Sequence, residues 1–171
     1  GFSEIFTNSL SNPSYYEEQE DLVKMLNPLS SELEILRGSM LYGGLEALSY
    51  NLNRKKKNLK FFEFGRTYRS LGDSKFEETK KLGIWLSGNQ AAESWQEAEK
   101  EVDVFMLKEF VGNCLNRLGI SKWKIIENNS ELYSTSIDLM RGKIQLARLG
   151  ELSKASLKKA DIKTKVYFAE F

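Results

Sequence analysis

Apolar positions repeat in two rhythms along the chain. Met40, Leu41, Leu45, Leu48 and Leu52 fall at the spacing that places side chains on one stripe of a helix. They predict a helix to about Asn53, with Ser39 as its cap. Val104, Leu107, Phe110, Val111, Cys114, Leu115 and Leu118 form a second stripe. This one predicts a helix capped by Asp103 and ended by Gly119. Cys114 lies inside the stripe and reads as a core residue. The segment "SKASLKKADI" (153–162) adds a third, short helix.

Elsewhere the rhythm is that of strands. Phe2–Leu10 and "LVKMLNP" (22–28) read as short strands on either side of a helical turn that Asn12 caps and Pro13 enters. "LKFFEFGRTYRS" (59–70) predicts a largely buried strand, with Leu82–Ser87 as its hairpin partner and Gly72-Asp73 in the turn. "KWKIIE", "STSIDLM" and "KIQLARLGE" predict three more, the last two joined at Gly142-Lys143, and "KVYFAEF" a final one. Strands outnumber helices and tight turns join them. The expected class is α+β, a mostly antiparallel sheet flanked by helices. A single domain over residues 1–171 is expected. Its one possible seam is the polar "QAAESWQEAEKEV" (90–102), which would divide it into lobes 1–100 and 101–171.

Composition narrows the function. Twenty-five cations against 24 anions leave a net charge of +1, which opposes wrapping of nucleic acid over the whole surface and leaves room for a local patch. One cysteine and no histidine point to a reducing, cytoplasmic setting. They exclude cysteine–histidine zinc sites and remove the commonest general base. No apolar run approaches the roughly 20 residues of a membrane span, so no membrane partner is expected. The carboxylates of "YYEEQED" and "EAEKEVD" sit in polar surroundings and read as solvated faces. Neither phosphate-loop nor dinucleotide fingerprint occurs. The start without Met and the terminal "VYFAEF" read as the ends of a piece of a longer chain.

Two features remain as candidate sites. Gly43 and Gly44 weaken the first helix by roughly 1 kcal/mol each relative to alanine, and their expected use is close approach of another backbone. Arg54, Lys55, Lys56 and Lys57 follow the end of that helix. Cations there complement the helix dipole by roughly 0.3–1 kcal/mol. One reading is a solvated helix end entering a core strand; the other is a contact to RNA or phosphate.

Several short motifs carry a family resemblance. Asn27-Pro28-Leu29-Ser30, the helix start Leu36–Leu45, the helix end Asn51–Arg54 and the strand Phe62–Gly65 follow in order. "GIWLSGN", "SWQEAEKEVDVFMLKEFV" and "IQLARLGELSKAS" extend the series over essentially the whole chain. Together they resemble the β subunit of bacterial phenylalanyl-tRNA synthetase. The chain departs from that pattern at Leu132–Ser136, where the family shows His-Pro-Gly, and at Glu151–Lys154, where it shows Glu-Leu-His-Pro.

The resemblance implies a class II aminoacyl-tRNA synthetase-like fold with no catalytic, cofactor or metal residue of its own. It implies an assembly role in a heterotetrameric ligase: packing against an α subunit that uses ATP and magnesium to charge tRNA(Phe). The interface expected on this basis comprises Met40, Leu41, Gly43, Gly44, Leu45 and Leu48. The alternative is a tRNA-binding module using Arg54–Lys57. Class II enzymes hold the ATP α-phosphate with an arginine on a strand. If "KFFEFGRTY" is the matching strand, Glu63 falls near that place and would repel phosphate.

Overall fold

A computed structural model describes residues 1–16, 19–90 and 100–171. The strands are β1 (Ser3–Glu4), β2 (Leu10–Ser11), β3 (Val23–Lys24), β4 (Ile35–Leu36), β5 (Leu59–Gly72), β6 (Lys75–Ser87), β7 (Lys124–Asn128), β8 (Tyr133–Arg141), β9 (Ile144–Leu152) and β10 (Val166–Glu170). The helices are α1 (Leu41–Leu52), α2 (Val104–Arg117) and α3 (Lys154–Lys159). Seven strands form one sheet in the order β1-β5-β6-β10-β9-β8-β7, and β2-β4-β3 form a small second sheet. Every neighbouring pair is antiparallel except β1 with β5. The large sheet takes strands from both sides of residue 100, because β6 pairs with β10.

Each face of this sheet carries its own core. On one face Leu41, Leu45 and Leu48 of α1, with Leu157 of α3, pack on Phe61, Trp85, Phe168 and Leu152. On the other, Leu107, Val111 and Leu115 of α2 pack on Ile84, Leu86, Leu139, Leu149 and Tyr167. The period-2 alternation of the strands assigns these residues: Phe61 and Trp85 are cross-strand partners on the first face, and Phe62 and Ile84 on the second. Burial of each large aliphatic side chain contributes about 1.5–3 kcal/mol.

The α+β expectation holds, and several boundaries shift. Phe2–Leu10 is not one strand: β1 ends at Glu4, after which Thr7 turns inward to hydrogen-bond Glu63. Within the segment 22–28 only Val23–Lys24 is a strand, and the chain bends at Leu26–Asn27. The short β4 that pairs with it carries no alternation long enough to read. The first helix begins at Leu41, with Ser39 Oγ accepting from the Leu41 amide at 3.1 Å. β6 starts at Lys75 instead of Leu82, because its exposed polar half is held by ladder bonds to β5 down to Gly72. Asp103 caps α2 as expected, accepting from the Met106 amide at 2.8 Å. The α2 stripe is narrower than its sequence suggests. Leu118 is 72% exposed, and Cys114 is half-buried at the flank of the core. Burial still pushes the Cys114 thiol up, against the pull of Arg117. The expected seam falls mostly on residues 91–99, outside the described ones, and so do Glu17 and Glu18 of "YYEEQED".

Candidate functional site

The α1–α3 face of the sheet is only partly covered. Beyond Phe168 it opens into a cleft of about 860 Å³, floored by β5, β6, β9 and β10 and walled by residues 19–21 and 38–39. Three cations line it, and each is paired. Arg69 Nε lies 2.7 Å from Asp21 Oδ2. Lys81 Nζ lies 3.7 Å from Glu170 Oε2. Arg148 makes two bonds to Asp138, at 2.7 and 3.0 Å.

Glu170 also closes the start of α1. Its Oε1 accepts from the Met40 amide at 2.9 Å and from Ser39 Oγ at 3.1 Å. The amides at a helix start attract anions, and here the last residue of β10 already occupies them. A phosphate entering this cleft would have to displace a carboxylate from every cation it sought. Among the described residues, no group of three or more Cys, Asp or Glu side chains is placed to hold a metal ion.

Partial burial raises the Asp138 carboxyl; the Arg148 bonds and charge, with a bond from Asn128, outweigh that and hold it below the usual carboxylate range. A depressed carboxyl stabilises fully above its unfolded value, about 4, and loses that stabilisation as pH falls through its lower folded value. Wild-type stability should therefore fall more steeply with acid below about pH 4 than that of Asp138→Asn. Parallel slopes in urea titrations at pH 5, 4 and 3 would refute this.

A buried ion pair joins the residue after β4 to β5. Arg37 and Glu63 are 4% and 2% exposed, with Nη1 and Oε1 3.0 Å apart. Thr7 joins them: its hydroxyl accepts from Arg37 Nη1 at 2.8 Å and donates to Glu63 Oε2 at 2.7 Å. Arg37 Nε donates to the Arg66 carbonyl at 2.8 Å. The expectation that Glu63 repels phosphate is thereby corrected, since its charge is neutralised by Arg37. Among the described residues, the carboxylates lining the cleft are Glu20, Asp21 and Glu170.

The six residues expected at an interface are packed within the chain. Met40, Leu41, Leu45 and Leu48 are fully buried in the first core. Gly43 and Gly44 do permit close approach, but of side chains: Thr7 lies against Gly43, and the Trp85 indole lies on Gly44. The backbone approach expected there is a side-chain contact inside this chain.

Arg54, Lys55, Lys56 and Lys57 are all exposed, at the far end of α1. Arg54 is committed to that end, with its guanidinium 3.4 Å over the Tyr50 ring and Nη1 donating to the Tyr50 carbonyl at 3.0 Å. Lys55 and Lys57 line a groove of about 600 Å³ together with Lys163, which precedes β10. Nothing local marks Lys163, one of two lysines in the short segment before β10. For Arg37 the cue was its place in the Leu36–Leu45 motif; for Glu170 nothing local marked it.

Comparisons with known proteins fall on this geometry. The family described as "Phenylalanyl tRNA synthetase beta chain CLM domain" matches residues 1–171. The chain belongs to that family. Among its relatives is the phenylalanine–tRNA ligase β subunit of Bacteroides fragilis, 37% identical over 186 residues, covering 99% of this chain and 23% of the relative. That of Porphyromonas gingivalis is 37% identical over 187 residues with the same shares. The chain thus spans about a quarter of the length of these relatives. In fold, this CLM-domain chain is similar to pyrrolysyl-tRNA synthetase from Desulfitobacterium hafniense, with a TM-score of 0.71, 22% identity, and coverage of 100% of this chain and 60% of that one. The β-chain family and a class II synthetase fold therefore agree with the resemblance. No helix among the described residues is long and apolar enough to cross a membrane.

Proposed function

We propose that this chain is a non-catalytic assembly module of a phenylalanine–tRNA ligase β subunit, packing against a catalytic α subunit in the cytoplasm. ATP, magnesium and the charging of tRNA(Phe) belong, on this reading, to the complex. The observation that carries the non-catalytic part is the cleft, where Arg69, Lys81 and Arg148 each hold a carboxylate of the same chain. An ATP site needs such cations free for phosphate.

The contact surface is sought on exposed apolar residues, because Leu41, Leu45 and Leu48 are enclosed. The connection between β3 and β4 presents Leu26 at 97% and Leu29 at 88% exposure. Leu29 belongs to the Asn27-Pro28-Leu29-Ser30 motif, and it joins neither core formed by the described residues. A partner subunit that covers it accounts for an apolar side chain there. Losing a well-packed anchor at an interface costs about 1–2 kcal/mol or more.

Leu26→Asp with Leu29→Asp, in the complete β chain, should leave its melting point unchanged. The same pair should weaken association with the α subunit by about 10-fold or more. Light scattering behind size exclusion reads the complex directly. Unchanged association would remove this surface, and no association of the wild-type chains would remove the assembly reading. Leu45→Asp is the contrast: it puts a charge in the core and should unfold the domain instead.

A further inference from the structure

We infer that the groove at the C-terminal end of α1 is a binding surface for the phosphodiester backbone of RNA. Three loops far apart in sequence meet there: the end of α1, the residues after β6, and the α3–β10 connection. They bring Lys55, Lys57 and Lys163 to one lining, against a single carboxylate, Asp161, among the described lining residues. Lys56 lies exposed beside them.

The state of these cations separates the groove from the cleft. Every cation lining the cleft is paired with a carboxylate. Lys55, Lys56, Lys57 and Lys163 form no ion pair or hydrogen bond through their side chains with a described residue. An incoming phosphate meets them without first displacing a resident anion.

Lys55 adds a second, independent observation. The Lys56 amide bonds the Asn51 carbonyl at 3.2 Å, and the Lys55 amide bonds that of Leu52 at 2.9 Å. This is a Schellman closure, which places residue 55 in the left-handed region, at φ +64°. Glycine is the residue that suits such a position, and a side chain there is disfavoured. The helix end alone gives no reason for a lysine; an anion in the groove does.

The lining specifies backbone recognition. Its described lining residues offer ammonium groups, the amide side chains of Asn53 and Asn89 and the hydroxyl of Thr164, beside the apolar Leu52 and Ile162, and none of them is aromatic. Charge and hydrogen bonding without stacking hold phosphate and ribose and do not read bases. The choice of RNA over another polyanion rests on the tRNA-ligase reading above. The groove itself does not depend on the α-subunit contact.

Acetylation footprinting of the complete β chain tests this, with and without the α subunit and with and without an unmodified tRNA(Phe) transcript. At low salt the tRNA should slow acetylation of Lys55, Lys57 and Lys163 several-fold and leave Lys143, at the β8–β9 turn, unchanged. Lys55→Gly should weaken tRNA binding and flatten its log–log salt dependence by about 0.7–0.9, with the melting point unchanged or raised. Combining it with Lys57→Ala and Lys163→Ala should flatten the dependence by about 2–3.

Equal acetylation with and without tRNA overturns the proposal, as does a salt slope that the triple variant leaves intact. Protection by the α subunit without RNA also overturns it and makes the groove a protein interface. If the two subunits fail to assemble, the arm with the β chain alone still reads the groove, so that failure counts only against the assembly reading.

Discussion

Arg37→Ala should destabilise the chain by about 3–5 kcal/mol, and Glu63→Ala by a similar amount. Neither side chain reaches water to any useful extent, so removing one leaves the other charged and unpaired in the interior. Thr7 cannot compensate. Its hydroxyl is already committed to both partners, donating to Glu63 and accepting from Arg37. The loss spreads to the backbone, because the Arg37 carbonyl accepts from the Tyr68 amide at 2.9 Å and its Nε reaches the Arg66 carbonyl. These contacts tie β4 to the edge of β5.

Replacing both charges together separates the pair from its surroundings. Arg37→Met with Glu63→Leu should cost clearly less than the sum of the single losses, since no lone charge is left behind. Urea denaturation of the two alanine variants, of Arg37→Met and Glu63→Leu, and of their double mutant gives the comparison. Alanine variants that each lose less than about 1 kcal/mol would mean that the pair is solvated in solution and does not organise this edge. Gly65 belongs to the same arrangement, since a side chain there would strike the Arg37 guanidinium and Met40.

This network shows where the chain can be read in advance and where it cannot. Helices α1 and α2, the β5–β6 hairpin and β8–β10 follow from local periodicity, because each buries one face of its own pattern. The short β1–β4 do not, because two residues carry no period and each pairs with a strand far along the chain: Ser3 and Glu4 with Phe61 and Phe62, Leu10 and Ser11 with Leu36 and Ile35. A local pattern contains no record of a partner that far away. The charged groups divide in the same way. The cations 54–57 are a visible run, yet Lys163, which completes their groove, and Glu170, which caps α1, take their roles only when β10 is laid beside β6 and β9. The buried face of α1 was legible; what lay against it was not, and so Gly43 and Gly44 suggested a partner chain where the structure has Thr7 and Trp85.

Gly44→Ala turns that ambiguity into a difference of sign. Helix propensity alone predicts a gain of about 1 kcal/mol, since glycine in the middle of a helix is costly. Packing predicts the opposite. A methyl group at residue 44 would sit on the Trp85 indole, which is fully buried, stacks on Phe168 with centroids 5.2 Å apart, and donates through Nε1 to the Leu41 carbonyl at 3.3 Å. The ring is fixed from both sides and cannot swing away, and overpacking of this kind costs about 1–3 kcal/mol, occasionally more. Because the added carbon would overlap the ring itself, the cost belongs at the upper end of that range, and the net result should be a loss of up to about 2 kcal/mol. Gly44→Ala combined with Trp85→Phe should recover part of it, because the smaller ring vacates the space beside residue 44. A stabilised Gly44→Ala variant would show that the α1–β6 contact is looser than the structure describes. It would also restore the glycine pair as a candidate surface for another chain. A destabilised one, rescued by the smaller ring, assigns Gly44 to the core of this domain and leaves the exposed leucines between β3 and β4 as the place to look for the partner.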